Sequence, residues 1–173
     1  MDDALASNGA PPPDVVMAQI GVGSLAVAIV RHYRGPGAPH IARIVGVEPE
    51  AAACALASVE TGRIVSVKTG ESVMAGLNCG TPSIIAFPAL RDGIDAYVTV
   101  DDARAIEAMR VLADEGFVSG ETGASGVAGL LELLEGAAAD EARARLGITG
   151  TTRVLLVSTE GATDPASYRR AIG

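Results

Sequence analysis

The chain has 173 residues, enough for one hydrophobic core and too few for two full domains. A formal net charge of -8, with Lys68 the sole lysine, excludes the clustered basic surface that nucleic acid or an anionic membrane requires. Aromatic residues make up 3% and Trp is missing, so the core must be built from Ala, Val, Ile and Leu, as suits parallel strands buried on both faces.

In chain order, residues 1–13 form a polar, Pro-rich lead that reads as a linker or as the remnant of something upstream. Residues 14–173 read as a single αβα domain. Apolar, β-branched runs at 14–20, 41–47, 64–67, 96–100 and 154–158 are predicted strands. They alternate with Ala-rich predicted helices at 23–34, 49–59, 72–79, 101–115, 123–136 and 138–146. Asp101 is a predicted N-cap with Gly116 as the matching stop, and Pro49 stands where a first helical residue belongs. This alternation predicts an α/β fold: a three-layer αβα unit around a mostly parallel sheet of about five strands.

No repeat of solenoid period occurs. The longest uncharged run, residues 72–90, contains Asn78, Pro82 and Pro88 and does not suit a bilayer span. Cys54 and Cys79 lie in small-residue surroundings without a Cys-x-x-Cys pattern, which predicts free thiols in a reducing cytoplasm. No secretory signal opens the chain, and no metal ligands are assigned.

Three glycine-rich turns carry the functional signal. "QIGVGSLA" satisfies the dinucleotide pattern G-x-G-x-x-G/A at Gly21, Gly23 and Ala26. Between a strand and a helix, these glycines bring N–H groups of Val22, Ser24 and Leu25 toward an anion. Glu48 follows Gly21 by 27 residues, near the position of a ribose-binding acid in a dinucleotide fold. A helix-packing turn without a ligand fits the same glycines. "VSGETGASG" joins a predicted short strand to a helix and carries Glu121, either a solvated acid or a ligand-facing one. "VLLVSTEGATDP" delivers Ser158 and Thr159 to the same predicted sheet edge, where ligands of open α/β sheets bind. A hydroxyl there can meet a ring nitrogen or merely satisfy its own turn.

Together with "IVGVEPEAAACALAS", "SVMAGLNCGTPS" and "AIEAMRVLA", these turns resemble the C-terminal part of diaminopropionate ammonia-lyase, a fold-type II (tryptophan synthase β-like) pyridoxal-phosphate enzyme. The resemblance runs from Asp14 to about Arg169, in order. It implies a phosphate cup for pyridoxal 5'-phosphate at Gly21, Val22, Gly23 and Ser24. It also implies a neutral hydroxyl partner for the pyridine nitrogen at Ser158 or Thr159, with Glu121 near the ring. Glu48 becomes a structural acid.

The complete family enzyme converts 2,3-diaminopropionate by β-elimination to pyruvate and ammonia. Its Schiff-base lysine and acid-base aspartate lie upstream of the phosphate loop, where this sequence has no lysine; Lys68 lies downstream. The resemblance therefore implies a small amino-acid substrate and either an N-terminal half or a second copy as partner. It also implies negligible lyase activity from this chain by itself. Threonine dehydratase or synthase relatives, a non-catalytic phosphate-binding module and a dinucleotide oxidoreductase remain alternatives. For the last, His32 and His40 lie away from the predicted ligand edge.

Overall fold

A computed structural model describes residues 2–38 and 40–173. The 1–13 lead contains a short helix, α1 (Asp2–Ser7), where no element was predicted. Beyond it the apolar runs form β1 (Val15–Gln19), β2 (Arg43–Pro49), β3 (Ala96–Val100) and β4 (Val154–Leu155). All neighbours are parallel, in the order β3-β2-β1-β4, with Val15 opposite both Arg43 and Val154. Helices α2 (Ser24–Arg34), α3 (Cys54–Thr61) and α4 (Phe87–Gly93) connect the first three strands. Helices α5 (Asp102–Asp114), α6 (Glu121–Glu135) and α7 (Ala139–Leu146) lead to β4, and α8 (Pro165–Ile172) ends the chain.

Every residue of β1 is buried, as the absence of polar alternation in "VVMA" demands of a central parallel strand. Its side chains nevertheless serve two layers by the period of two. Val15 and Met17 join Val45 and Val47 against Ala105, Ala108 and Met109 of α5 and Ala124, Val127 and Ala128 of α6. Val16 and Ala18, with Ile20 and Ile44, pack on Ala26, Ile29, Val30 and Tyr33 of α2 and Leu90 of α4. Burying each large aliphatic side chain contributes about 1.5–3 kcal/mol, so this two-sided filling holds β1 as the rigid floor of whatever binds at its end.

Local chemistry sets several boundaries. The carboxylate of Asp101 accepts from the Arg104 N–H at 2.7 Å, the predicted cap of α5, and Gly116 follows with φ +82. Asp164 caps α8 by accepting from Ala166 and Ser167 N–H groups at 2.9 and 3.2 Å.

Four expectations need correction. Residues 64–67 are not a strand and pair with no member of the sheet. That segment is held by Val65 N–H to Ser58 Oγ at 3.1 Å and Val67 N–H to the Gly80 carbonyl at 2.8 Å. Residues 72–79 make only a single 3-10 turn, Ala75–Leu77, because Asp102 holds the Ser72 hydroxyl and the Val73 N–H outside any helix. Pro49 closes β2 instead of opening α3, which starts at Cys54 after a 3-10 turn at Glu50–Ala52. No strand precedes α6, and the described residues give four strands instead of about five. Helices α4 and α8 were not predicted: α4 is a seven-residue helix whose Pro88 reads as a breaker, although proline suits the first helical turn.

Candidate functional site

The order β3-β2-β1-β4 creates a switch point: the connection leaving β1 runs to β2, while β4 lies on the other side of β1. At such a point, beyond the carboxyl ends of the strands, the two departing loops diverge and leave a crevice. Here the crevice is bounded by the loop after β1 and the loop after β4.

The first wall is the glycine turn. Gly23 has φ +105, a left-handed conformation that favours glycine, and a Cβ there would lie 2.8 Å from Leu90 Cδ1 and 2.9 Å from the Ala86 methyl. A Cβ on Gly21 would lie 2.9 Å from the Gly76 carbonyl oxygen. No side chain caps α2 and no acidic residue occupies its first turn. The N–H groups of Ser24, Leu25 and Ala26 therefore have no intrahelical acceptor, and the positive end of the helix dipole faces the crevice.

The second wall is tied to the floor by Gln19, which is 3% exposed. Its Nε2 donates to the Val157 carbonyl at 2.7 Å and to Thr159 Oγ1 at 3.3 Å. Gln19, Gly21, Val22, Gly23, Ser24, Thr122 and Thr159 share one cavity of about 230 Å³, roofed by Gly76 and Leu77. Thr122 Oγ1 accepts from the Gly76 N–H at 3.2 Å and joins that roof to α6.

Sequence reasoning placed Gly21, Val22, Gly23, Ser24, Glu121, Ser158 and Thr159 together; the fold brings the first four and Thr159 around this cavity. Ser158 lines a separate cavity of about 370 Å³ with Phe117, Gly126 and Leu156. Its hydroxyl shares a 2.9 Å hydrogen bond with that of Ser119. Glu121 turns toward α8 and accepts from Ser167 Oγ at 3.3 Å. Gln19, Ser119, Thr122 and Glu160 were missed; the lone amide closing the apolar run "VVMAQ" was the available signal for Gln19.

Glu48 is fully buried, and its two carboxylate oxygens accept from the Ala55 and Leu56 N–H groups, each at 2.8 Å. Burial pushes its carboxyl up to about 7, against those two hydrogen bonds, which favour the charged form. Both oxygens serve the start of α3, so Glu48 offers none to a ribose, and the dinucleotide signature is incomplete here. Burial, and then the charge of Glu48, push the Cys54 thiol up to about 12. His32 and His40 both pack on Tyr33, with ring centroids 4.7 and 5.2 Å away. Lys68 is exposed and is absent from the cavity lining.

A larger cleft, about 790 Å³, opens at the opposite, amino ends of the strands. Its principal charges answer one another: Arg153 pairs with Asp14 at 2.7 Å and Arg34 with Asp95 at 2.5 Å. It lacks the uncapped helix start that marks the crevice.

A parallel sheet with a glycine turn and an uncapped helix start at its switch point is the architecture of many phosphate-cofactor proteins, and sequence comparison narrows it. The model of the pyridoxal-phosphate dependent enzyme family matches residues 3–163, and the chain belongs to that family. It is 36% identical to the diaminopropionate ammonia-lyase of Salmonella typhimurium over 96% of this chain and 43% of that protein. It is 31% identical to that of Escherichia coli K12 over 92% of this chain and 42% of that protein. The crystal structure of the Escherichia coli enzyme in complex with D-serine superposes with a TM-score of 0.85 at 28% identity, over 99% of this chain and 44% of that one. The chain thus spans less than half the length of these relatives.

The family's cofactor fits this crevice on structural grounds. The cradle excludes any Cβ at Gly21 and Gly23, its helix start is uncapped, and no carboxylate in the first turn of α2 would repel a phosphate dianion.

Proposed function

We propose that this chain furnishes the phosphate cup and the ring-facing hydroxyl wall of a pyridoxal-phosphate site in an ammonia-lyase. The proposed reaction is β-elimination from 2,3-diaminopropionate to pyruvate and ammonia. The observation that carries the reading is the uncapped α2 start facing the Gln19-tethered Thr159 across one cavity.

In this reading the N–H groups of Gly21, Val22, Gly23 and Ser24 bind the phosphate, helped by the α2 dipole and the Ser24 hydroxyl. Thr159, or Ser158 beside it, holds the ring nitrogen through a neutral hydroxyl, which exerts no charge on that nitrogen. Glu121, held by Ser167, forms part of the outer wall. When bound, pyridoxal phosphate supplies the ring that stabilises negative charge at the substrate α-carbon. The apolar floor beneath Gln19 and the Leu77 roof exclude water from that end of the crevice.

Lys68, exposed and outside the cavity, is not offered the covalent role. In this reading the lysine and the acid-base group come from an N-terminal half; a second copy of the chain, which carries only the same Lys68, is a dimer partner and not their source. The same placement of Lys68 favours a second reading, a phosphate-binding module without catalysis. No described helix is long and apolar enough to cross a membrane. The cytoplasm is the compartment we propose, in accord with the free thiols of Cys54 and Cys79.

Absorbance titration of the purified chain with pyridoxal phosphate, and separately with dinucleotides, tests the reading. Saturable pyridoxal-phosphate binding without release of ammonia or pyruvate from 2,3-diaminopropionate is the expected outcome. Tight dinucleotide binding overturns the cofactor assignment. Ammonia and pyruvate from the chain by itself overturn the need for a partner.

A further inference from the structure

Helix α6 runs for 15 residues, and its N-cap, Gly120, has no side chain with which to satisfy the first N–H groups. The cap comes from a residue 38 positions away: Glu160 Oε1 accepts from the Thr122 N–H at 2.8 Å and from the Gly123 N–H at 3.4 Å. A carboxylate at a helix start gains from charge-assisted bonds and from the dipole together.

The backbone of the same residue does a second job. The Glu160 carbonyl accepts from the Gly120 N–H at 3.3 Å and lies within reach of the Ser119 and Ser158 hydroxyls, at 3.4 and 3.3 Å; one of those two hydroxyl protons makes the bond between the serines and the other is free for the carbonyl. Side chain and main chain of one residue therefore fasten the loop after β4 to the start of α6, on both sides of the Ser119–Ser158 hydroxyl pair. The approach is tight enough that a Cβ on Gly123 would meet Ser119 Oγ at 2.6 Å and the Glu160 carbonyl oxygen at 2.9 Å. Thr122, whose N–H Glu160 holds, lines the cavity and carries the Gly76 roof through its hydroxyl. Loop, helix start and roof thus converge on one carboxylate.

We infer that Glu160 is the positioning residue of the site: by capping α6 from the loop after β4 it sets where Ser158, Thr159 and Thr122 stand relative to the glycine cup. This inference rests on the reading of the crevice as a pyridoxal-phosphate site. The cup itself, built from β1 and α2, makes none of these contacts. Two ligands therefore separate the two walls, since inorganic phosphate engages the cup while pyridoxal phosphate engages the cup and the hydroxyl wall.

The test measures the affinity of both ligands for the whole chain and for Glu160→Ala and Glu160→Gln, alongside amide hydrogen exchange of residues 119–123 and 157–161. Glu160→Ala is expected to weaken pyridoxal phosphate about tenfold, to leave inorganic phosphate unchanged, and to speed exchange in both segments. Glu160→Gln keeps an acceptor at Oε1 and is expected to recover most of the lost affinity. Equal pyridoxal-phosphate affinity in Glu160→Ala overturns the inference while leaving the cofactor reading standing. So does a parallel loss of both ligands, which reports general destabilisation. An unaltered chain that binds neither ligand defeats the cofactor reading, and the inference with it.

Discussion

Gln19 Nε2 donates to the Val157 carbonyl at 2.7 Å, joining the end of the central strand to the loop that follows a strand with only two ladder residues. β4 pairs with β1 only at Val154 and Leu155, so the sheet ladder ends before the loop reaches the crevice. The buried amide continues by side chain what the backbone ladder leaves off. Both walls of the site are thereby referred to one strand.

Gln19→Leu keeps the volume and removes the donor, leaving the Val157 carbonyl without its partner. A stability loss of about 1–3 kcal/mol is expected, read as a lower urea midpoint at unchanged slope. Pyridoxal phosphate should bind more weakly, because the Thr159 hydroxyl loses the same tether. An unchanged midpoint would mean that the loop is held by other contacts.

Gly23→Ala forces a Cβ into a left-handed residue and against Leu90 and Ala86, at 2.8 and 2.9 Å. The expected cost is about 2–4 kcal/mol, with loss of phosphate binding. Gly37 is the internal control: its φ is +82, but nothing lies within 4 Å of its added Cβ. Gly37→Ala should cost about 1 kcal/mol and leave phosphate binding intact. Equal effects of the two substitutions on phosphate binding would contradict the role given to the α2 turn.

Glu48 ties stability to pH. Its folded carboxyl is raised to about 7 from an ordinary 4.5, so between those values the folded state binds more protons than the unfolded state. Its contribution is fully present below pH 4.5 and declines as pH rises through about 7. Glu48→Gln cannot ionise, so its stability curve should fall less steeply across that window, by about 1–3 kcal/mol in total. Asp14 runs the other way. The Arg153 hydrogen bonds hold it at about 2, so its contribution is present above its ordinary value and is lost as pH falls toward 2. Parallel curves for the parent chain and Glu48→Gln between pH 4.5 and 7 would show that Glu48 ionises normally in the folded state.

Leu90 is fully buried beneath Gly23, on the face of the sheet that supports the cup. Leu90→Ala should cost about 2–5 kcal/mol and soften the turn above it. Thermal unfolding followed by circular dichroism checks the first effect, and phosphate affinity the second. Retained stability would mean that α4 repacks over the gap.

The sequence revealed most clearly the parts governed by local pattern. β1 and α2 are unambiguous because "VVMAQIGVGSLAVAIV" passes from an unbroken apolar run through two glycines to a 3.6-residue period. Asp101 and Gly116 mark α5 by their own side-chain and backbone chemistry. Residues 64–67 have strand composition, but their N–H groups are taken by Ser58 and Gly80 instead of a neighbouring strand, contacts that composition cannot carry. Residues 72–79 have helical composition and yet are held open by Asp102, 30 residues from Ser72. The glycine turn between β1 and α2 was legible because its signal is local. Glu160 was not, because its partners lie 38 residues upstream, and an acid in a Gly-rich loop looks solvated until α6 is placed against it.

The turn at Gly21 to Ser24 is proposed to receive the phosphate of pyridoxal phosphate. Phosphorus NMR of pyridoxal phosphate, titrated with the chain and with Gly23→Ala, reads that phosphate directly. A shifted, broadened resonance is expected with the parent chain, reversed by excess inorganic phosphate and missing with Gly23→Ala. An unperturbed resonance with the parent chain, or an equal shift with both proteins, would contradict it.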